Sequence, residues 1–336
     1  RPRLFLRTSE FLWQEGHTAH STREEAMEET LKMLGVYARI MRDILALPVV
    51  EGEKTEGERF PGADNTYACE TMMSDGKALQ AGTSHFLGQN FARAFDIKFQ
   101  NQNGDLEYAW TTSWGVSTRL IGAIIMTHSD DDGLVLPPRV APVKAAILPI
   151  GTNEEKVAST LLPRALELSS ELDRSLGGRC TVVDKQFYLR PGDRFFQHLQ
   201  RGVPLRVELG EKDLAAGTAR VVRRDTGEKM DIPLENLASR IPELLEDIQS
   251  GLFNRALDFR RQNTSVVSTY DEMKKVMEEK GGFVETWFAG TRDDEKKIKE
   301  ETGATARCMP IDSPEEGPCF FTGKPGGRKV IFAKAY

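Results

Sequence analysis

Residues Arg7–His20 (RTSEFLWQEGHTAH) carry side chains that suit the wall of a binding pocket. An arginine, two aromatic rings and two histidines make the segment too polar for a core strand, and its Gly and Thr disfavour a solvated helix. Arg7 offers a planar fork of donors for a phosphate or carboxylate, and Phe11 and Trp13 offer flat apolar surface. An edge strand and loop whose aromatic residues pack in the core is the alternative, and the segment taken alone favours it.

A second segment, residues 79–88 (LQAGTSHFLG), places small and hydroxyl-bearing residues before a histidine. Small residues at a strand end let a ligand approach the backbone. Gln80, Thr83 and His85 would supply side-chain donors and acceptors there. A lone histidine is more often a structural residue than a site residue, so this segment indicates a binding site only in combination with others.

A third segment, residues 111–122 (TTSWGVSTRLIG), leads a strand rich in Ser and Thr into the start of a helix. Ser117 and Arg119 would lie near that helix N-terminus, where anions bind well. A strand followed by a helix cap with a surface arginine explains the segment equally well. Further along, a Pro-Pro pair would hold Arg139 rigidly at a corner, and the preceding aspartates 130–132 are interpreted as a solvated turn.

The composition is that of an ordinary soluble globular protein, with 39% hydrophobic and 29% charged residues among 336. A net charge of −6 argues against unselective nucleic-acid binding but is compatible with a local basic groove. Four scattered cysteines lack disulfide-framework spacing, which fits a reducing cytoplasm. Without an apolar run of membrane-spanning length or a secretory pattern, we expect a soluble, cytoplasmic protein of two or three domains.

Hydrophobic periodicity divides the chain into three parts. Residues 1–140 contain a long amphipathic helix from Ser21 to Leu47, capped by Thr22, and short strands punctuated by glycine, which predict an antiparallel sheet with embedded helices. Residues 141–240 alternate strands and helices, which predicts an α/β domain with a parallel or mixed sheet. Residues 241–336 combine a long linking helix with a small α+β domain.

Four segments together, Arg7–His20, Leu79–Asn90, Ser113–Arg119 and Gly133–Arg139, closely resemble prolyl-tRNA synthetases of the archaeal and eukaryotic type. These enzymes are class II aminoacyl-tRNA synthetases, and the segments occur in the family's order. The resemblance extends over essentially the whole chain, down to its final VIFAKAY. It implies part of a class II antiparallel sheet with helices, followed by an α/β anticodon-binding domain and a small α+β C-terminal domain.

The resemblance also implies the roles of individual residues. Those that would contact ATP are Arg7, Thr8, Gln80, Thr83, Ser117, Arg119 and Arg139. Among them Arg7 and Arg139 would be the catalytic cations, and Gln80 would also meet the Mg²⁺ that accompanies ATP. Those that would line the proline pocket are Phe11, Trp13, His85, Ser113 and Gly115.

The residue types agree with the chemistry that this family performs. Adenylate formation is attack by the proline carboxylate on the α-phosphorus of ATP, so no protein nucleophile is needed. The site must supply alignment and positive charge, which explains arginines and hydroxyls without a Ser-His-Asp arrangement. In the second half-reaction the prolyl group passes to the terminal ribose of tRNA.

Two departures from the family pattern affect these expectations. The family carries a first dimer-forming motif, a Thr-x-Glu proline loop and an Arg-x-Glu strand upstream of the Arg7 region, and none is present here. We therefore expect the chain to be the C-terminal portion of a longer enzyme. The four-cysteine zinc site that relatives often carry is also incomplete, because residues 288–294 lack the first cysteine pair and residues 318–322 keep only Cys319. One ligand cannot hold a structural zinc, so we predict no zinc.

The middle domain is implied to contact the anticodon of tRNA(Pro), with Arg206 and Asp213 as the predicted residues; surface charge alone is the alternative explanation of both. Implied partners are L-proline, tRNA(Pro) and a second copy in a homodimer, without membrane or DNA. The sequence thus predicts an ATP-dependent proline–tRNA ligase. The alternative is a synthetase-derived protein that binds tRNA or a partner but forms no adenylate.

Overall fold

The computed structural model describes residues 3–151, 153–313 and 315–336. Contacts between residues group these into two units. The first unit contains the described residues up to Asp43 together with Leu47–Thr127 and Ala256–Tyr336, and the second contains Ile44–Ala46 and His128–Arg255. The expected division into three domains, at residues 140 and 240, stays a prediction.

Strands occur in both units. In chain order they are β1 (Trp13–His20), β2 (Val49–Glu53), β3 (Asn65–Met72), β4 (Ala78–Gly88), β5 (Lys98–Gln100), β6 (Leu106–Tyr108), β7 (Trp110–Ser117), β8 (Ala145–Ile150), β9 (Thr181–Val183), β10 (Leu205–Gly210), β11 (Thr218–Arg223), β12 (Lys229–Pro233), β13 (Thr264–Val266), β14 (Phe283–Phe288), β15 (Thr305–Pro310), β16 (Glu316–Gly317) and β17 (Gly327–Ala333).

The α-helices are α1 (Arg23–Arg39), α2 (Asn90–Ala94), α3 (Arg119–His128), α4 (Glu154–Lys156), α5 (Leu162–Ser175), α6 (Pro191–Gln200), α7 (Glu211–Ala216), α8 (Leu237–Gln262), α9 (Tyr270–Glu279) and α10 (Arg292–Thr302). Two π-helical turns, Ile40–Ile44 and Val157–Leu161, follow α1 and α4, and a 3₁₀ turn, Leu234–Asn236, precedes α8. In the described part of the chain, no helix is both long and apolar enough to cross a membrane.

The first unit is built on a ten-stranded sheet with the order β1-β7-β4-β3-β2-β15-β17-β14-β13, and β16 lies beside β17. Strands β1 to β4 and β7 form an antiparallel group, as the sequence predicts. The last strands of the chain continue this group, because Met309 of β15 pairs with Glu53 and Pro310 with Gly52. The C-terminal residues therefore belong to the same sheet as the N-terminal ones.

Helix α1 covers one face of the antiparallel group. The predicted cap is confirmed: the Thr22 side chain accepts from the Glu25 backbone N–H, and the Glu25 carboxylate binds the Thr22 N–H in return. Ala26, Leu34 and Ala38 recur at helical spacing and are buried against β4 and β7. The opposite face of the same strands is thus left to form a site.

The second unit holds a five-stranded sheet of order β12-β11-β10-β8-β9. Strands β10, β8 and β9 are parallel, with β9 at one edge, and β11 and β12 add two antiparallel strands on the other side. Strand β8 is almost wholly buried, as expected for a parallel strand covered on both faces. A mixed α/β unit is what the alternation of strands and helices predicts.

Candidate active site

Strands β1, β7, β4 and β3 bring side chains from distant parts of the chain into rows across one sheet face. Antiparallel register places His17, Ser113, His85 and Thr66 in one row and Glu15, Gly115, Thr83 and Ala68 in the next, and it pairs Trp13 with Ser117. Because side chains two residues apart share a face, these rows form a continuous surface. Residues predicted for proline and ATP thus lie side by side.

A β-bulge at Ala81 adds Gln80 to this surface. Cys69 pairs with Gly82, whereas the next residue of β3, Glu70, pairs with Gln80. The extra residue reverses the alternation of β4, so that Gln80 faces the same way as Thr83 and His85. In a regular strand Gln80 would point to the α1 side.

A cavity of about 530 Å³ opens on this surface. Six of the predicted site residues line it, namely Trp13, Gln80, Thr83, His85, Ser113 and Gly115. The other lining residues are Glu15, Glu58, Arg59, Phe60, Pro61, Thr66 and Trp114. The cavity is of the size that commonly holds a small-molecule ligand, for which typical volumes are about 300–1,000 Å³.

Gly115 contributes open space to the cavity. A Cβ atom built there would lie 3.7 Å from the Trp13 ring and 3.6 Å from the Gln14 carbonyl, which are ordinary contacts. Protein packing therefore does not require glycine at this position. A side chain at residue 115 would instead occupy part of the cavity.

His85 is a neutral imidazole held by its neighbours. The Thr66 hydroxyl lies 3.0 Å from its Nδ1, and the ring centroid of Phe60 lies 4.7 Å from that of His85. Burial lowers the pKa of His85 to about 4. At neutral pH the side chain can therefore exchange a hydrogen bond with a ligand without bringing a charge.

Arg119 begins α3 and connects two segments of the site. Its Nε donates to the Leu6 carbonyl and its Nη1 to the Gln80 carbonyl, each at 3.2 Å. Burial is the main cause of a lowered pKa at Arg119. The charge of Glu70 opposes this shift, and the charges of Arg307 and Arg7 add to it. A guanidinium stays charged under such conditions, so Arg119 is a fixed cation beside Gln80.

Arg7, Thr8 and Phe11 lie in the segment that leads into β1. The Arg7 side chain is exposed, and its backbone pairs with Arg3 around a turn in which Phe5 has φ 59°. Thr8 and Phe11 line a separate depression of about 370 Å³, and the Phe11 ring meets Trp13 edge-on with centroids 6.0 Å apart. Contacts of these residues with ATP and proline stay predictions.

Seven lining residues were not among the predicted site residues, and these include Glu15, Glu58, Arg59 and Phe60. Glu15 follows Trp13 by two residues on β1, so period-2 spacing could have revealed it. Glu58, Arg59 and Phe60 lie in the irregular segment between β2 and β3, where no periodicity places a side chain. Among the described residues, the buried Nε of Arg59 has no hydrogen-bond partner, which leaves this donor for a ligand.

Arg139 belongs to the second unit. Its Nη2 donates to both carboxylate oxygens of Glu246, at 2.9 and 3.0 Å, and its backbone N–H donates to Gln249. These contacts place Arg139 against helix α8. Its predicted contact with ATP stays untested.

The two predicted anticodon residues also have local partners in the second unit. Arg206 stacks over the Phe195 ring, 4.2 Å from its centroid, and its Nε donates to Glu208 at 2.8 Å. Asp213 accepts from the Gly210 N–H at 2.9 Å and so caps the start of α7. A guanidinium stacked on an aromatic ring keeps its other face for a base.

Within the described residues, no group of three or more His, Cys, Asp or Glu side chains could hold a metal ion. Cys319 is buried, and its sulfur accepts from the Thr322 N–H at 3.4 Å. The expectation that the protein binds no zinc stays a prediction.

Three family models match the chain in sequence. Residues 3–128 match the tRNA synthetase class II core domain (G, H, P, S and T), residues 144–244 match the anticodon binding domain, and residues 270–336 match the C-terminal domain of prolyl-tRNA synthetase. Together they account for most of the chain.

Relatives agree with these matches. The proline–tRNA ligases of Flavobacterium johnsoniae and Christiangramia forsetii are 52% and 51% identical over the whole chain, which covers 68% of each relative. Prolyl-tRNA synthetase from Cryptosporidium parvum complexed with L-proline and AMP is 41% identical, with a TM-score of 0.92 over 100% of this chain and 72% of that one. The same enzyme complexed with halofuginone and AMPPNP is 40% identical, with a TM-score of 0.93 over 100% of this chain and 70% of that one. The protein belongs to the prolyl-tRNA synthetase family of class II aminoacyl-tRNA synthetases.

Proposed function

We propose that the protein is a proline–tRNA ligase, which activates L-proline with ATP and transfers the prolyl group to tRNA(Pro). The observation that carries this proposal is the pairing of strands β1, β7 and β4, which brings Trp13, Thr83, His85 and Ser113 together around one cavity. Relatives about half identical are named for this activity, and the C. parvum relative is described with L-proline and AMP bound.

Proline would occupy the part of the cavity walled by Trp13, Phe60 and His85. A pyrrolidine ring is small and apolar, so flat rings suit it. The neutral His85 adds no cation that would compete for the proline carboxylate. The unpartnered Nε of Arg59 is a donor suited to that carboxylate, and the Glu15 carboxylate suits the proline ammonium group.

ATP would extend from Gln80 and Thr83 towards Ser117, Arg119 and Arg7. A proline carboxylate oxygen forms a bond to the α-phosphorus while the bond from that phosphorus to the bridging oxygen breaks, and pyrophosphate leaves. Arg119 is held by two carbonyls, so its charge is in position before ATP arrives. Mg²⁺ prefers oxygen ligands, including those of phosphates, and the Gln80 amide oxygen fits that preference. When bound, Mg²⁺ would neutralise phosphate charge.

Proline-dependent exchange of pyrophosphate into ATP tests the proposal, with Thr83→Val as the variant. Valine keeps the shape of threonine but removes the hydroxyl, so we expect the KM for ATP to rise about tenfold, as for a lost hydrogen bond to a charged group. The control is Ser84→Ala, because Ser84 points to the other face and donates to the Thr30 carbonyl. This variant should lose about 1 kcal/mol of stability and keep its KM.

The two candidate functions give different results in this experiment. Absence of exchange in the unmodified protein, together with retained tRNA binding, would favour the synthetase-derived binding protein. Exchange that depends on proline, with a selective effect of Thr83→Val, supports the ligase. A homodimer in the cytoplasm is part of the proposal, as the family resemblance implies.

A further inference from the structure

Three charged side chains are buried together beside the candidate active site. Glu70, Lys54 and Arg307 are 0%, 2% and 7% exposed. Lys54 Nζ donates to one Glu70 oxygen at 2.7 Å and to the Arg307 backbone carbonyl at 2.6 Å. Arg307 binds both oxygens of the same carboxylate through Nε and Nη2, at 3.0–3.1 Å. We call these three residues the Glu70 cluster.

The cluster is unusual because two cations share one carboxylate in the protein interior. Buried charges are costly unless they are paired and hydrogen-bonded, and a single buried cation would already balance Glu70. Stability alone therefore does not explain why both Lys54 and Arg307 are present. A third cation nearby indicates a role for the second cation of the cluster beyond balancing the charge of Glu70.

Arg119 is that third cation. Glu70 pairs with Gln80 across β3 and β4, and the Gln80 carbonyl is one of the two acceptors that hold Arg119. The charges of Glu70, Arg307 and Arg7 all act on the Arg119 guanidinium. The Glu70 carboxylate therefore attracts Arg119 electrostatically, while its two oxygens are hydrogen-bonded to Arg307.

We propose that Arg307 is a positioning residue for nucleotide binding: by holding both Glu70 oxygens, it keeps that carboxylate from drawing Arg119 away from the Leu6 and Gln80 carbonyls. Arg307 lies on β15, near the end of the chain, and reaches this position because β15 pairs with β2. A planar guanidinium matches both carboxylate oxygens with two parallel donors in a fixed fork, whereas an ammonium acts as a point charge without that fixed geometry. The inference rests on the proposed function, since it takes Arg119 to bind ATP.

Two measurements on the purified protein test this inference. These are ATP affinity by titration calorimetry and proline-dependent pyrophosphate exchange, with Arg307→Met as the first variant. We expect the Kd and KM for ATP to rise about tenfold, as for loss of one charge-assisted contact. The KM for proline should change much less, because the proline part of the cavity contains neither Arg307 nor Arg119.

Two further variants separate positioning from folding. Lys54→Met removes a cation from the same cluster but leaves Arg307 on both Glu70 oxygens, so ATP affinity should stay near that of the unmodified protein. In Arg307→Met with Glu70→Gln, the competing charge is gone, and ATP affinity should recover. If Arg307→Met does not fold, Arg307→Lys replaces it, with a smaller expected rise in the Kd for ATP.

Other outcomes would overturn the inference in recognisable ways. Equal loss of ATP affinity in Lys54→Met and Arg307→Met, or no recovery in the double variant, would mean that the cluster acts only through the fold. An unmodified protein that neither binds ATP nor exchanges pyrophosphate would overturn the proposed function and the inference with it. An active protein whose ATP affinity does not respond to Arg307→Met would overturn the inference alone.

Discussion

His85 shows how burial sets the charge of a side chain in the candidate site. An imidazole in water has a pKa near 6.5, and burial lowers that of His85 to about 4. The unfolded chain therefore binds a proton between these two pH values while the folded protein does not. The contribution of His85 to folding stability is therefore present above pH 6.5 and is lost as the pH falls towards 4.

We predict that His85→Gln makes the stability of the first unit less dependent on pH. One pKa unit corresponds to about 1.4 kcal/mol, so His85 should account for about 2 kcal/mol of the stability that the unmodified protein loses between pH 6.5 and pH 5. Urea unfolding followed by tryptophan fluorescence measures this, because Trp13, Trp110, Trp114 and Trp287 all lie in the first unit. Parallel pH dependences for the two proteins would contradict the prediction.

At the scale of secondary-structure elements, strand register and one bulge assemble the cavity. Antiparallel pairing of β1, β7, β4 and β3 aligns their side chains, and the bulge at Ala81 turns Gln80 to the same face. Two glycines in neighbouring strands differ in the space that a side chain would find at their positions. At Gly16 a Cβ would lie 2.2 Å from the Trp114 ring, whereas at Gly115 it would meet only ordinary contacts.

We predict that alanine at these two positions has contrasting effects. Gly115→Ala should leave stability nearly unchanged and raise the KM for proline about tenfold, since one added methyl group enters ligand space. Gly16→Ala should cost about 1–3 kcal/mol of stability, because the Trp114 ring must move. Thermal unfolding and pyrophosphate exchange measure both effects. A stability loss in Gly115→Ala as large as that in Gly16→Ala would contradict this account.

At the scale of the whole molecule, the two ends of the chain meet in one sheet. Strand β15 can approach β2 because Gly52 has no side chain: a Cβ there would lie 2.6 Å from the Cys308 Cβ. The charged cluster of Glu70, Lys54 and Arg307 forms across the same junction. The second unit has its own sheet and its own apolar core, so each unit can serve a separate step of the proposed reaction.

We predict that Arg206→Ala weakens aminoacylation of tRNA(Pro) about tenfold and leaves proline-dependent pyrophosphate exchange unchanged. The physical reason is that the stacked Arg206 guanidinium lies in the anticodon-binding part of the chain, while adenylate chemistry belongs to the first unit. Arg164→Ala is a matched control, because Arg164 pairs with Glu167 and Glu171 on α5 of the same unit. Equal loss of both activities in Arg206→Ala would argue against an anticodon role.

Local sequence patterns predict several elements of this protein. The Thr22 cap and the amphipathic helix that follows it are visible from spacing and capping residues, because those signals act over a few neighbouring residues. The family identification, confirmed by the relatives, rests on four segments in a fixed order. The mixed fold class follows from the same patterns, since strand and helix periodicities differ.

Which of these residues are in contact depends on the tertiary structure. The entry of Glu15 and Arg59 into the cavity and the contact of Arg307 with Glu70 depend on packing between distant segments, and the Ala81 bulge depends on the register of the adjacent strands β3 and β4. Local periodicity carries no information on strand order or on irregular loops, so no short stretch could reveal them. Local patterns were sufficient to identify the family and many of its helices and strands. Contacts between distant residues, such as Glu70 and Arg307 at a separation of 237 positions, come from tertiary packing and could not be identified in that way.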